Sequence, residues 1–132
     1  MICLGFDKEV KRIVNLEGGY VDHENDRGGK TKYGITERLA RKYGYEGDMK
    51  NLAISEAKKI YKKAFWEKYD LNKIEDDQLA GRVFSFGINA GMRRVIRKLQ
   101  EGYNLLTDSN ISEDGLIGPE TLDAINNFNK PD

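Results

Sequence analysis

Cysteine, proline, histidine and tryptophan are all scarce: one, two, one and one among 132 residues. A lone thiol, Cys3, rules out an internal disulfide, and a chain of this length can bury a core large enough to do without one. With one His and one Cys, a zinc site would lack its usual nitrogen and sulfur donors. Excess charge is missing too. The 22 basic and 22 acidic side chains cancel, with 15 against 12 in residues 1–70 and 7 against 10 in residues 71–132. An imbalance this small does not argue for nucleic acid as a partner. No apolar run is long enough to span a membrane. The opening MICLGF has neither the basic nor the long apolar region of a secretory signal. Synthesis in the cytoplasm is therefore expected, with release or export by another agent if the chain acts outside. One domain and a monomer fit the length, and nothing asks for a cofactor.

What is abundant is glycine, and five of the fourteen fall in residues 17–36, EGGYVDHENDRGGKTKYGIT. The stretch also carries Glu17, Asp22, His23, Glu24 and Asp26. Upstream, Phe6, Val10, Ile13 and Val14 recur at helical spacing and predict an amphipathic helix over residues 7–18. Glu17 continues that apolar stripe, and Gly18 and Gly19 stop the helix. The sequence therefore predicts a partly buried carboxyl at the negative end of a helix, where its charged form is disfavoured. The plainer reading is an exposed Glu17, or one paired with Lys11 or Lys32.

The remaining pattern is helical. Residues 19–35 predict an irregular loop or short hairpin, with turns at residues 26–29 and 33–35. Thr36 is an expected N-cap for a helix over residues 37–43, and Ser55 for one over residues 56–68. The second would bury Ala57, Ile60, Tyr61, Ala64 and Phe65, leaving Trp66 and Tyr69 for the core or for a groove. A helix from Asp76 or Asp77 to Gly91 looks apolar on nearly all sides and central, with Asn89 as a polar group a sugar could satisfy. Met92, Val95, Ile96, Leu99 and Tyr103 mark another amphipathic helix. Its Arg93, Arg94, Arg97 and Lys98 form a solvated face or, in the weakest reading, a DNA contact. Pro119 opens a last helix packed through Leu122, Ile125 and Phe128.

Three chemistries compete for residues 17–36. Asp22, Glu24 and Asp26 alternate like calcium ligands, but the sixth position is Arg27 and the twelfth Tyr33, so the loop fails as an EF-hand. Metal is not expected. Glycosidic cleavage wants a protonated carboxyl beside the leaving oxygen and usually a second, ionised carboxylate. Glu17 suits the first role and Asp26 the second, with Asp22 and Glu24 as alternatives. Thr31 could orient a water, and Tyr20 and Tyr33 offer flat faces to sugar rings. Asn89 and Trp66 complete the expected substrate contacts.

The stretch EGGYVDHENDRGGKTKYGIT closely resembles the signature of glycoside hydrolase family 108, bacterial and phage N-acetylmuramidases of lysozyme-like helical fold. FWEKYDL, VFSFGINAG and DGLIGPETLDAI look like its later segments. The family commonly has Pro where this chain has Arg27, and Asp where it has Ser85. The resemblance implies a mainly α, lysozyme-like catalytic region over residues 1–81. It also implies a peptidoglycan-binding-type helical region over residues 82–132, packed on the first as one unit. Glu17 would be the catalytic acid. Glu17, Asp26 and Thr31 are similar to the Glu-Asp-Thr set of many phage lysozymes, with Thr31 one residue closer to the Asp. The implied substrate is the glycan strand of peptidoglycan, cut at the β-1,4 bond after N-acetylmuramic acid. A lytic transglycosylase using Glu17 alone and a non-catalytic wall-binding module are the alternatives.

Overall fold

A computed structural model describes residues 4–23 and 29–128. Helix α1, Leu4–Glu17, begins three residues earlier than its apolar stripe predicts. Phe6, Val10, Ile13 and Val14 are all buried, as their spacing requires. Gly18 ends the helix at φ 69°, with its N–H donating to the Val14 carbonyl.

The glycine-rich stretch folds as a small antiparallel sheet of β1 (Val21–His23), β2 (Gly29–Lys32) and β3 (Ile35–Thr36), in that order. Tyr33 and Gly34 join β2 to β3 at φ 54° and 80°, both left-handed. A two-residue hairpin turn of the mirror-image kind needs positive φ at both positions. Helix α2, Glu37–Lys42, follows at once. The Thr36 hydroxyl accepts from Leu39 N at 3.1 Å, so the expected cap is present.

Helix α3, Ile54–Tyr61, is entered from Ala53 in extended conformation, and Ser55 lies inside it instead of capping it. It runs straight into a π-helical segment, Lys62–Glu67. A π turn closes i to i+5 and advances the buried face by one residue. Tyr61 is therefore followed inward by Trp66, while Phe65, expected in the core, is half-buried.

Helix α4, Asp77–Ala90, is capped by the Asp76 carboxylate, which accepts from Leu79 N. It is less enclosed than its sequence predicts: Phe84 is fully buried, but Phe86 is 63% exposed. α4 runs beside α1 in the same direction. The backbones come close where glycine stands on both helices, since a Cβ at Gly81 would lie 3.2 Å from the Gly5 carbonyl. Gly5 N donates to the Asp77 carboxylate, tying the two helix starts together.

Helix α5, Met92–Thr107, packs on α4, and α6, Pro119–Asn127, starts with proline in its first turn. The loop between them is held by Gln100, which is fully buried. Its amide N–H groups reach Asp114 Oδ1, the Leu116 carbonyl and Thr121 Oγ1, and its oxygen accepts from Gly115 N. The core joins the first helix to the middle of the chain: Phe6 packs on Trp66 and Phe84, and Trp66 meets Phe84 edge-on. α4 is continuous across residues 81 and 82, and no described helix is long and apolar enough to cross a membrane.

Candidate active site

Between the C-terminal halves of α1 and α4, a cleft of about 270 Å³ opens. Arg12, Ile13, Leu16 and Glu17 line it from α1, and Ser85, Ile88 and Asn89 from α4. Ile13, Leu16 and Glu17 follow i, i+3, i+4 spacing, as do Ser85, Ile88 and Asn89, so each trio is one helical stripe, with Arg12 flanking the first. Gly34 of the hairpin turn and Tyr61 of α3 close the inner end.

The hairpin is docked at the end of α1. Tyr33 N donates to the Gly18 carbonyl at 3.2 Å, and the Tyr61 hydroxyl donates to the Tyr33 carbonyl at 2.7 Å. Gly34 has to be glycine for two reasons. Its φ is left-handed, and a Cβ would stand 2.7 Å from the Tyr61 hydroxyl and 3.1 Å from Glu17 Cγ. Burial, and then the charge of Glu17, push the Tyr61 phenol well above its ordinary 10.0. The phenol thus stays a proton donor at the back of the cleft.

Glu17 itself is exposed. The half-burial predicted from its place on the apolar stripe is not found. The stripe is buried as far as Val14; one turn later α1 has passed the body of the protein and its last side chain borders the cleft. Neither predicted ion pair is made. Lys32 donates instead to the Lys50 carbonyl, and among the described residues Glu17 has no hydrogen-bond or ion-pair partner. Its carboxylate is free for a ligand. Asn89 is likewise exposed on the cleft wall.

The other expected site residues that the structure describes lie outside the cleft. Asp26 and Glu24 lie outside the described residues. Thr31 occupies the middle strand, paired with Val21 on one side and Thr36 on the other. Asp22 pairs with Lys30, one register position along, so it projects from the opposite face of the sheet. Tyr20 and Tyr33 are half-buried and carry lysine ammonium groups over their rings, Lys50 at 5.4 Å and Lys32 at 5.1 Å. Trp66 is 2% exposed and belongs to the core, because the π turn rotates it inward, away from any groove.

Motif reading assigned only Glu17 and Asn89 of these lining residues to the site; Arg12, Gly34, Tyr61 and Ser85 are the polar or turn-forming ones it missed. Position gives the signal for one of them: Ser85 precedes Asn89 by four residues, one turn along the same face of α4.

Comparison with known proteins bears on these same residues. A family model described as glycosyl hydrolase 108 matches residues 10–91, more than half of the chain, and contains every residue lining the cleft. No curated protein matches. Among solved structures the chain is similar to one reported as the structure of Brucella abortus SagA. The two share 30% sequence identity with a TM-score of 0.68, over 91% of this chain and 67% of that one. The chain therefore belongs to the glycosyl hydrolase 108 family, and is a glycoside hydrolase on a mainly helical, lysozyme-like fold.

Proposed function

We propose that the protein hydrolyses the β-1,4 bond between N-acetylmuramic acid and N-acetylglucosamine in peptidoglycan. Glu17 is the general acid in this reading, donating its proton to the leaving oxygen. The observation that carries it is the position of Glu17: an unpartnered carboxylate at the mouth of a cleft whose other wall presents Asn89 and Ser85 as sugar-binding polar groups. Because Glu17 is exposed on the cleft wall, the bound glycan itself would have to cover the acid. Asp26 is the proposed second carboxylate, activating water or stabilising the oxocarbenium-like transition state, with Thr31 orienting the water. Tyr20 and Tyr33 would stack on sugar rings beyond the cleft. Residues 82–132 would help hold the wall, and the enzyme would act after release or export from the cytoplasm.

One observation favours a second reading. Among the described residues, Glu17 is the only carboxylate lining the cleft. A single acid that later serves as base is the arrangement of a lytic transglycosylase. Purified cell walls test both. Clearing of wall turbidity should be lost in Glu17→Gln, and a variant as fast as wild type would remove the reading altogether. Mass spectrometry of the fragments then separates the two: reducing N-acetylmuramic acid ends support hydrolysis, whereas 1,6-anhydro ends alone assign transglycosylation.

A further inference from the structure

The Glu17 cleft is half of a longer seam. Between the N-terminal halves of α1 and α4 lies a second cavity of about 360 Å³. It shares Arg12 and Ser85 with the cleft, so the two join end to end between the parallel helices. The second half differs in charge. Lys8, Arg12 and Arg82 face one carboxylate, Glu9.

Glu9 is committed locally. Its side chain is 13% exposed, and its Oε2 lies 3.5 Å from the Arg12 guanidinium. That oxygen is buried and accepts no hydrogen bond among the described residues, so the ion pair is its only compensation. Lys8 and Arg82 are not committed. Both are exposed, one on each helix, and among the described residues neither has an ion-pair or hydrogen-bond partner. Two free cations thus flank a groove that leads to Glu17. Phe86, 63% exposed, adds an apolar surface to the same cavity.

Single exposed cations on helices are ordinary solvated groups. These two stand on different helices, across one cavity that adjoins the cleft of the acid. In the proposed substrate, N-acetylmuramic acid carries a short peptide with small aliphatic side chains and free carboxylates, attached close to the bond to be cut. We propose that the N-terminal half of the seam binds this acidic peptide stem, with Lys8 and Arg82 pairing its carboxylates and Phe86 contacting its aliphatic groups. The inference rests on the proposed reaction at Glu17 and extends it: the preferred substrate is stem-bearing glycan, not bare glycan.

The test compares soluble peptidoglycan strands with their peptides intact and the same strands stripped by an amidase. Wild type should show a KM about three- to tenfold lower on the stem-bearing strands, the size expected of two exposed ion pairs, and added salt should shrink the difference. In Lys8→Gln/Arg82→Gln the KM for stem-bearing strands should rise to meet that for stripped ones, with kcat and the fluorescence melt of Trp66 preserved. Equal KM values in wild type, or a preference that survives the double substitution, would overturn the inference. A second arm keeps it separate from the reaction. A fluorescent stem tetrapeptide is titrated into Glu17→Gln, with and without the two cation substitutions. Saturable binding that the substitutions weaken supports the seam even if neither strand is cut. No binding rejects the seam even if both strands are cut.

Discussion

Glu17 and Gln100 are the two polar side chains around which the ends of the molecule are arranged, and they are treated oppositely. Glu17 is exposed, without a partner among the described residues, on a cleft wall. Gln100 is fully enclosed, and both atoms of its amide are hydrogen-bonded to a loop that would otherwise have no regular structure. A buried amide that is fully satisfied specifies a conformation. A carboxylate left unsatisfied at a cleft is available for chemistry. The contrast separates the residue that works from the residue that holds.

The contrast breaks if both substitutions do the same thing. Glu17→Gln should lower turnover on cell wall by about a hundred- to ten-thousandfold, the usual contribution of a general acid, while its melting temperature stays within a degree or so of wild type. Gln100→Ala should do the reverse. It leaves the Gly115 N–H and the Thr121 hydroxyl without their buried partner, and should cost about 2–4 kcal/mol by chemical denaturation with turnover per folded molecule retained.

Gly34→Ala sharpens the comparison, since Gly34 is both support and wall. Left-handed φ and the contact with the Tyr61 hydroxyl should cost about 1–3 kcal/mol and displace Glu17, so that stability and turnover fall together. Tyr61→Phe is milder. Loss of the hydrogen bond to the Tyr33 carbonyl should cost about 1 kcal/mol. Its pH signature is specific. The phenol is raised in the folded state, so its contribution is fully present below pH 10.0 and is lost as pH climbs above it. The phenylalanine variant should show a shallower alkaline decline in thermal melts. The smallest effect belongs to Asp114. The N–H of Leu116, and then the Gln100 amide, hold its carboxyl below the ordinary 3.8. Its contribution is present above pH 3.8 and fades as pH falls below it. The slight deficit of Asp114→Asn at neutral pH should therefore disappear in acid melts.

Much of this was legible in the residues. Thr36, Asp76 and Pro119 mark helix starts because capping is local chemistry. The α1 stripe predicts its core face, and the tight turn at residues 33–35 follows from a glycine between two short apolar-flanked segments, although the left-handed φ of Tyr33 does not. What failed depends on non-local geometry. Periodicity placed Glu17 inward but cannot say where the packing partner stops. The π segment has no period of its own in the pattern, so Trp66 stays open between core and groove, and Phe65 reads as core. The cleft lining is partly visible: Asn89 is an odd polar residue on an apolar helix and Ser85 lies one turn before it, whereas Arg12 looks like ordinary surface until two helices are laid side by side.

One helix serves both ends of the molecule. α4 gives Ser85, Ile88 and Asn89 to the cleft and lies against α5, whose Gln100 fastens the last loop. Full melting of that distant end, as opposed to weakening it, would free the far wall from the acid although no cleft residue had changed. Heat inactivation should then coincide with the melting of the C-terminal helices, and the lifetime of the enzyme would be decided well away from its chemistry.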